Sequence, residues 1–434
     1  MKTFRLIVLL LTLSATLRAQ PSAGKVCIER DGIALAELTL RPTSNSLIRV
    51  AIAIPGKERW NGRLWFYGNG GAAGRLDWGR VETAARAGSI GVHTDMGTSV
   101  PCERLPPEVL TDFGHRATHL ALLSAKELVK ERFGRYPRYC YFEGESTGGG
   151  QGIHEALRYP QDFDGILAGV PANIRLPLHT YFWWSRREMS RNGAPVFTRF
   201  ELQTLARVAK ETLGKNDPIW CRGKWLADPR WTKERGEEVL AQAIRLLPSL
   251  GEGDKPERLR RLLEGPVLDG VRIHCGLPLG AVQEEFESLQ FLLRWYVGQH
   301  RNLDEVGEGE IREWIKACSP ELDASGTGLE RFCNRGGKLV VWVGLEDAVV
   351  PAAAVMEWFG RCVGAMGVDR ARSCLRLYAL IGRGHVAGGS KGMQEIVNRQ
   401  RLIEAWVERG VAPGLVPVRC GDGRMRPLEA YWPE

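Results

Sequence analysis

The chain is 434 residues long, 44% hydrophobic and 25% charged, and its 59 basic and 51 acidic side chains give a formal charge of +8. That is enough chain for a large buried core with an insertion, since single cores stop growing at roughly 250 to 300 residues. The mild basicity comes without a basic low-complexity arm or an aromatic-and-glycine signature, so it reads as solvated arginine faces and excludes nucleic acid as the expected partner.

The chain begins "MKTFRLIVLLLTLSATLRAQ", with Lys2 and Arg5 ahead of an apolar run from Leu6 to Leu17 and a small-x-small pattern ending at Ala19. This predicts a signal peptide over residues 1–19 and a secreted or periplasmic protein. A membrane anchor needs about 20 apolar residues, and the run stops short of that at Arg18; no later stretch is apolar enough to span a bilayer. Cleavage lowers the formal charge from +8 to +5, since Lys2, Arg5 and Arg18 leave and no acid does. The ten cysteines (Cys27, Cys102, Cys140, Cys221, Cys275, Cys318, Cys333, Cys362, Cys374 and Cys420) then predict several disulfides. None forms a C-x-x-C pair, which removes zinc-ribbon and thioredoxin-like readings.

Past the leader, "IALAELTL", "LIRVAIAIP" and "RLWFYG" have strand character and are separated by Pro, Asn, Ser and Gly. "SIGVHTD" follows as another strand, then a helix in which Leu122, Ala125, Val129 and Phe133 keep helical spacing and Gly134 serves as the stop. Strand "RYCYFEG", a glycine-rich turn, helix "GIHEALRYP" and strand "DGILAGVP" continue an alternation that implies an α/β fold with a largely parallel sheet. From Asn173 to Arg331 the pattern turns helical and charged, with no convincing buried strand, and is expected to be an inserted lid. Strands resume at "GKLVVWVG" and "CLRLYALIG". The expected organisation is therefore a catalytic domain of residues 20–172 and 332–434 around a lid of residues 173–331. Seven of the 14 tryptophans (Trp183, Trp184, Trp220, Trp225, Trp231, Trp295 and Trp314) fall in the lid. Most should be lid core, with at least one as a wall for a flat acyl group.

The turn "GESTGGGQG" crowds five glycines around Ser146. A serine at a sharp strand-to-helix turn sits in strained backbone, and neighbouring side chains would clash there, so Gly144-x-Ser146-x-Gly148 fits a nucleophile elbow. Serine needs a histidine to take its proton, and the histidine needs a carboxylate to hold its tautomer. Asp347 in "GLEDAVVP" and His385 in "GRGHVAGG" follow the last two predicted strands, and the order Ser146, Asp347, His385 is that of an α/β-hydrolase. Glu346 is the rival acid. Backbone N–H groups for a developing oxyanion are expected from Gly70 and Gly71 in "YGNGGAAG" and from Thr147. His115 and His119 are spaced i, i+4 but lack the glutamate and third ligand of a zinc site, so no metal is assigned.

"WNGRLWFYGNGGAAG", "HTDMGTS", "FGHRATH", "FEGESTGGGQGIHEALRYPQDFDGILAGVPA", "GGKLVVWVGLEDAVVP" and "GRGHVAGG" together resemble the tannase and feruloyl esterase family, which also contains the hydrolase of mono(2-hydroxyethyl) terephthalate. The resemblance covers most of residues 55–175 and 335–410. It implies an α/β-hydrolase with a mostly helical lid, acting as a secreted serine esterase on small-molecule esters of aromatic acids such as ferulic or gallic acid. By it Ser146 is the nucleophile, His385 the general base and Asp347 its orienter. A terephthalate monoester as substrate, and a hydrolase-like binding protein without activity, are the alternatives. Two features depart from the family. Its cysteines before the serine and after the histidine are Glu145 and Val386 here, so Glu145 is expected to pair with Arg383 or with another donor on the histidine loop as a non-covalent substitute. The family's lid calcium loop is not recognisable in "NDPIWCRGKWLADPRW", which offers only Asp217 and Asp228.

Overall fold

The computed structural model describes residues 6–7, 25–99, 105–282, 295, 298, 300–385, 392–395 and 397–433. Contacts divide the chain into two compact units, Met1–Asn173 with Pro320–Val340 and Ile403–Val411, and Ile174–Ser319 with Val341–Leu402 and Ala412–Glu434. Most of the expected signal segment and Val386 lie outside the described residues; Leu6–Ile7 pairs antiparallel with Cys27 and Ile28. No described helix is long and apolar enough to cross a membrane.

In the first unit, Lys25–Arg30 (β1) turns into Ile33–Leu40 (β2) through Asp31 and Gly32, whose φ values of 52° and 74° make the left-handed two-residue hairpin that matches strand twist. Ile48–Pro55 (β3), Arg63–Tyr67 (β4), Ile90–Thr94 (β5), Tyr139–Glu145 (β6) and Gly165–Gly169 (β7) complete a sheet ordered β1-β2-β3-β5-β4-β6-β7. Pairing is antiparallel from β1 to β5 and parallel among β5, β4, β6 and β7. The largely parallel sheet expected from the sequence is thus a mixed one. Parallel neighbours need a crossover of a dozen or more residues, and the short links β1–β2 and β2–β3 allow only reversal.

Helices Trp78–Arg86 (α1), Ala117–Phe133 (α2) and Thr147–Arg158 (α3) alternate with the parallel strands. Gly134 ends α2 with φ 73°, the left-handed cap that its sequence position suggested. Trp65 of β4 lies opposite Tyr141 of β6, their rings stacked at 4.7 Å, above a core that includes Phe66, Phe142 and Phe163. Residues 403–411 are tied to this sheet by Glu408, which accepts from Arg63 Nε at 2.6 Å and from the Tyr141 hydroxyl at 2.7 Å.

Lys338–Gly344 (β8) begins in the first unit, where Lys338 N–H donates to Asp164 O at 3.0 Å, and continues in the second beside Leu375–Leu380 (β9). Trp342 and Tyr378 stack across these strands at 4.6 Å. The expected lid contributes Arg175–Met189 (α4), Arg199–Leu213 (α5), Lys233–Leu246 (α6) and Lys255–Glu264 (α7) to this unit, followed by Ala352–Met366 (α8). Trp183 and Trp184 are buried, their indole N–H groups donating to Val306 O and Arg261 O. The lid also holds two short hairpins the sequence reading did not give it, closed by Asn192-Gly193 and Asp269-Gly270 with left-handed φ. Both are turn dipeptides that could have been recognised. A hairpin of Val416–Arg419 (β10) and Met425–Leu428 (β11) lies near the C-terminus.

Of the expected disulfides, Cys333 and Cys374 are disulfide-bonded, while Cys140, Cys221, Cys275, Cys318, Cys362 and Cys420 are thiols. Cys140 and Cys362 are buried core positions where a thiol packs as a small hydrophobe. The side chains of Cys27 and Cys102 are outside the described residues.

The lid helix α5 starts with a reciprocal cap: Thr198 accepts from Glu201 N–H and Glu201 accepts from Thr198 N–H at 2.8 Å. Burial pushes the Glu201 carboxyl up, but Lys255 Nζ at 2.6 Å, the Thr198 N–H and Ser249 Oγ at 2.8 Å outweigh it and hold the group down at about 2. A carboxyl depressed by folding contributes stability above its unfolded pKa of about 4.3 and loses it as pH falls toward the folded value. Glu201→Gln is expected to lower the melting temperature at about pH 7 by several degrees, with the difference from wild type closing as pH falls through that window. Thermal melts across pH check both the sign and the window.

Candidate active site

Strand β6 delivers Ser146 into a turn whose backbone, φ 59° and ψ −120°, is a conformation non-glycine residues rarely hold and which costs about 1 to 3 kcal/mol. The turn is clamped on both sides. Ser146 N–H donates to Gly169 O at 2.9 Å, and Ser146 O accepts from Ala172 N–H at 3.0 Å and from Gly150 N–H at 3.1 Å.

Glycines are required here because backbones nearly touch. A Cβ on Gly144 would stand 2.5 Å from the Gly148 carbonyl carbon, one on Gly148 2.9 Å from Asn69 O, and one on Gly149 2.4 Å from Gly169 O. The first turn of α3 thereby rests on the loop that follows β4. Gly148 N–H donates to Asn69 O at 2.6 Å and Thr147 Oγ1 to Gly71 O at 2.7 Å. Asn69, which the sequence reading did not select, organises this loop: its N–H donates to Gln151 Oε1 and its side-chain amide to Thr94 O, both at 2.8 Å. Its signal was an asparagine inside a glycine turn, with Gln151 one helical turn beyond the serine. Of the expected oxyanion donors, Thr147 opens α3 and is buried, Gly71 has φ 52°, and Gly70 is exposed. The partial positive charge of a helix N-terminus favours an anion at this end.

Within the second unit the structure brings Asp347 and His385 together. Asp347 is fully buried; its Oδ2 lies 2.8 Å from His385 Nδ1 and its Oδ1 accepts from Val349 and Val350 N–H at 2.8 Å. With the proton on Nδ1 facing Asp347, the lone pair of the neutral ring is on Nε2. The loops carrying the two residues are joined by backbone: Glu346 N–H donates to Arg383 O at 3.0 Å, and a Cβ on Gly344 would stand 2.4 Å from that oxygen. The rival Glu346 turns instead to Lys210 of α5 at 3.1 Å, and burial raises its pKa. Tyr181 of α4 donates to Ala348 O at 2.9 Å, and the Trp225 indole occupies the space where Gly382, three residues before His385, would carry a Cβ. Arg383, the expected partner of Glu145, pairs with Glu395 at 3.2 Å, and Glu395 also meets Arg399.

The histidine pair sits in a hydrogen-bonded network of the first unit. His115 meets the Tyr159 hydroxyl and Glu321, both at 2.7 Å, and His119 meets Asp162 at 2.6 Å. The ligand atoms of His119, Glu155 and Asp162 lie within 4.8 Å of one another. Burial, with Asp162 beside it, raises the Glu155 carboxyl well above its ordinary value. In the stretch nearest in sequence to the family's calcium loop, Asp217 Oδ2 accepts from Ala227 N–H and Asp228 pairs with Arg230 and Arg235. Such a pair does not fit the six to eight oxygens calcium takes.

Residues 36–221 and 298–431 match the family model described as tannase and feruloyl esterase. An uncharacterized esterase of Xanthomonas campestris pv. campestris is 27% identical over 86% of this chain and 75% of its own, and a probable feruloyl esterase B-2 of Aspergillus flavus is 24% identical over 87% and 78%. Among solved structures, feruloyl esterase B from Aspergillus oryzae gives a TM-score of 0.76 at 20% identity, covering 95% of this chain and 90% of that one. A tannin acyl hydrolase from Aspergillus niger gives 0.70 at 16%, covering 99% and 89%. The fold is that of an α/β-hydrolase, and the relatives support an ester hydrolase.

Backbone crowding at the elbow separates two glycines that look alike in sequence. Gly144→Ala is expected to destabilise the protein by about 3 kcal/mol or more, because the clash is with main chain that cannot rotate away. Gly70→Ala, whose Cβ would meet nothing within 4 Å, should stay within about 1 kcal/mol of wild type. Denaturant unfolding of both variants measures the difference.

Proposed function

We propose, from the premise that this chain belongs to the tannase and feruloyl esterase family, that it is an exported serine esterase cleaving small-molecule esters of aromatic carboxylic acids, of feruloyl or galloyl type, through an acyl-enzyme. The observation that carries the reading is the hydrogen bond at 2.8 Å between His385 Nδ1 and the fully buried carboxylate of Asp347. A histidine so held has its tautomer fixed for base catalysis at Nε2, and the strained elbow supplies the matching serine.

Ser146 Oγ attacks the ester carbonyl while His385 Nε2 takes its proton; Asp347 orients the imidazole and stabilises the imidazolium that forms. The negative charge arising on the carbonyl oxygen is met by backbone N–H groups of Gly70, Gly71 and Thr147, at the positive end of α3. Collapse of the tetrahedral intermediate transfers the proton from His385 to the leaving alcohol. A water activated by the same nitrogen then releases the acid.

Residues 173–331 act as a lid. Among its tryptophans, Trp225 is the one placed against the histidine loop, half-buried over Gly382, where a flat indole suits a flat acyl group. The N-terminal "MKTFRLIVLLLTLSATLRAQ" supports export.

A fluorophosphonate probe should label Ser146 in folded protein; absence of labelling would favour a hydrolase-like binding protein. Ser146→Ala and His385→Ala should each lower kcat by roughly 10⁴- to 10⁶-fold with melting temperature retained, and Asp347→Asn should be severe but smaller. Glu346→Gln should be mild, and a larger loss there than in Asp347→Asn would reassign the acid. Trp225→Ala should raise KM for hydroxycinnamate esters by about tenfold and leave acetyl esters within about twofold. Assays on hydroxycinnamate, gallate and terephthalate monoesters then rank the acyl groups.

A further inference from the structure

The segment around Asp217 and Asp228 is held without a metal-ligand set, by hydrogen bonds of its own. From Gly214 to Trp231 it contains no helix longer than one turn and is organised by Asp217, whose side chain accepts from Ala227 N–H at 3.0 Å and whose carbonyl accepts from Arg222. At its centre Cys221 closes a turn, with Trp225 N–H donating to Cys221 O at 2.9 Å. This is the segment whose Trp225 fills the space above Gly382.

The C-terminal hairpin meets this segment at Trp220. The Arg426 guanidinium of β11 stands 5.3 Å over the Trp220 ring while both its terminal nitrogens hold Asp422, at 2.7 and 2.8 Å. Cys420 opens the tight turn of that hairpin, its N–H donating to Arg424 O at 2.9 Å and its carbonyl accepting from Gly423 N–H at 2.8 Å. Cys221 adjoins Trp220 in the chain and is fully buried, and Cys420, beside the same Arg426 in the hairpin, is 2% exposed.

The geometry points to Cys221 and Cys420 as the two halves of a disulfide that fastens the Gly214–Trp231 segment to the C-terminal hairpin in the oxidised protein. One thiol follows Trp220 and the other lies beside the Arg426 that stacks on that ring, so both are buried on elements that meet, and a disulfide between them requires Cα atoms within roughly 7 Å. Burial first, then Asp217, and also Cys420, push the Cys221 thiol up to about 11.

The bond forms by exchange with an oxidised dithiol carrier of the export compartment. The Cys420 thiolate, beside Arg426, attacks the carrier's disulfide and expels one carrier thiolate, giving a mixed disulfide; the Cys221 thiolate then attacks the Cys420 sulfur and expels the second. Two protein thiols and one carrier disulfide become one protein disulfide and one carrier dithiol. Since both sulfurs are buried in the folded protein, exchange precedes docking of the hairpin. The closed loop spans about 200 residues, a length at which a crosslink restrains the unfolded chain strongly.

The test is independent of turnover and so of the esterase reading. Full-length protein exported into an oxidising compartment is denatured, alkylated with iodoacetamide without reduction, digested and mapped by mass. The expected result is one crosslinked peptide pair containing Cys221 and Cys420, both sulfurs unalkylated until a reductant separates them. Cys221→Ser, Cys420→Ser and the double variant should share one melting temperature, about 5 to 10 °C below wild type, and reduced wild type should fall to the same value. Alkylation of both cysteines in the unreduced wild type, or a crosslink from either to a different cysteine, overturns the proposal. The wild-type map decides the matter even if the variants fail to fold.

Discussion

The close approach between the first turn of α3 and the loop after β4 is the constraint on which the first unit's chemistry depends. Three of the glycines around Ser146 face main chain at distances no Cβ tolerates, so those three positions admit no side chain. The strained backbone of Ser146 is stable only because its neighbours over-determine it. Gly169 O holds its N–H, Ala172 N–H holds its carbonyl, and Asn69 fixes the opposing loop through Gln151 and Thr94. A serine with so little side-chain cover is presented by backbone alone, and its hydroxyl stands at the positive end of a helix.

In the second unit the equivalent role belongs to a buried carboxylate. Asp347 accepts three hydrogen bonds, two from its own turn and one from His385, which satisfies a charge that burial would otherwise penalise. The turn is braced from the lid segment. Tyr181 holds Ala348, Lys210 holds Glu346 and Trp225 lies on Gly382. These contacts join residues 174–319 to the acid and histidine loops in one compact unit, where they supply side chains that keep the Asp347 turn in shape.

The strands were legible in the sequence wherever apolar runs were bounded by turn residues, and the stop of α2 was legible in Gly134. The elbow was legible for a stronger reason, since its glycines are dictated by backbone contact and not by composition. Sheet direction is masked by the alternation of strands with helices, although Asp31-Gly32 announces the first reversal as a two-residue hairpin. The choice between Asp347 and Glu346 was open in sequence because adjacent acids differ only in where the turn points them, and the structure sends one to histidine and the other to lysine. Asn69, Gln151, Tyr181 and Lys210 went unread for a related reason. Each acts through a partner 25 or more residues away, and no local spacing encodes that.

Helix α3 has to carry a strained serine at one end, and the structure fixes it at the other. His154 meets Leu322 O at 3.1 Å, and Tyr159, just past the helix, stacks on His119 at 3.9 Å while its hydroxyl meets His115. Glu155 is buried near this end of the helix, and burial, with Asp162 beside it, raises its carboxyl well above the ordinary value, while His119 holds Asp162 at 2.6 Å. Strain at Ser146 would relax if α3 could slide by a fraction of a turn. Backbone contact at its first turn and a hydrogen-bonded cluster at its last leave it no such freedom, so the elbow's geometry is set by the far end of its own helix as much as by the glycines next to it.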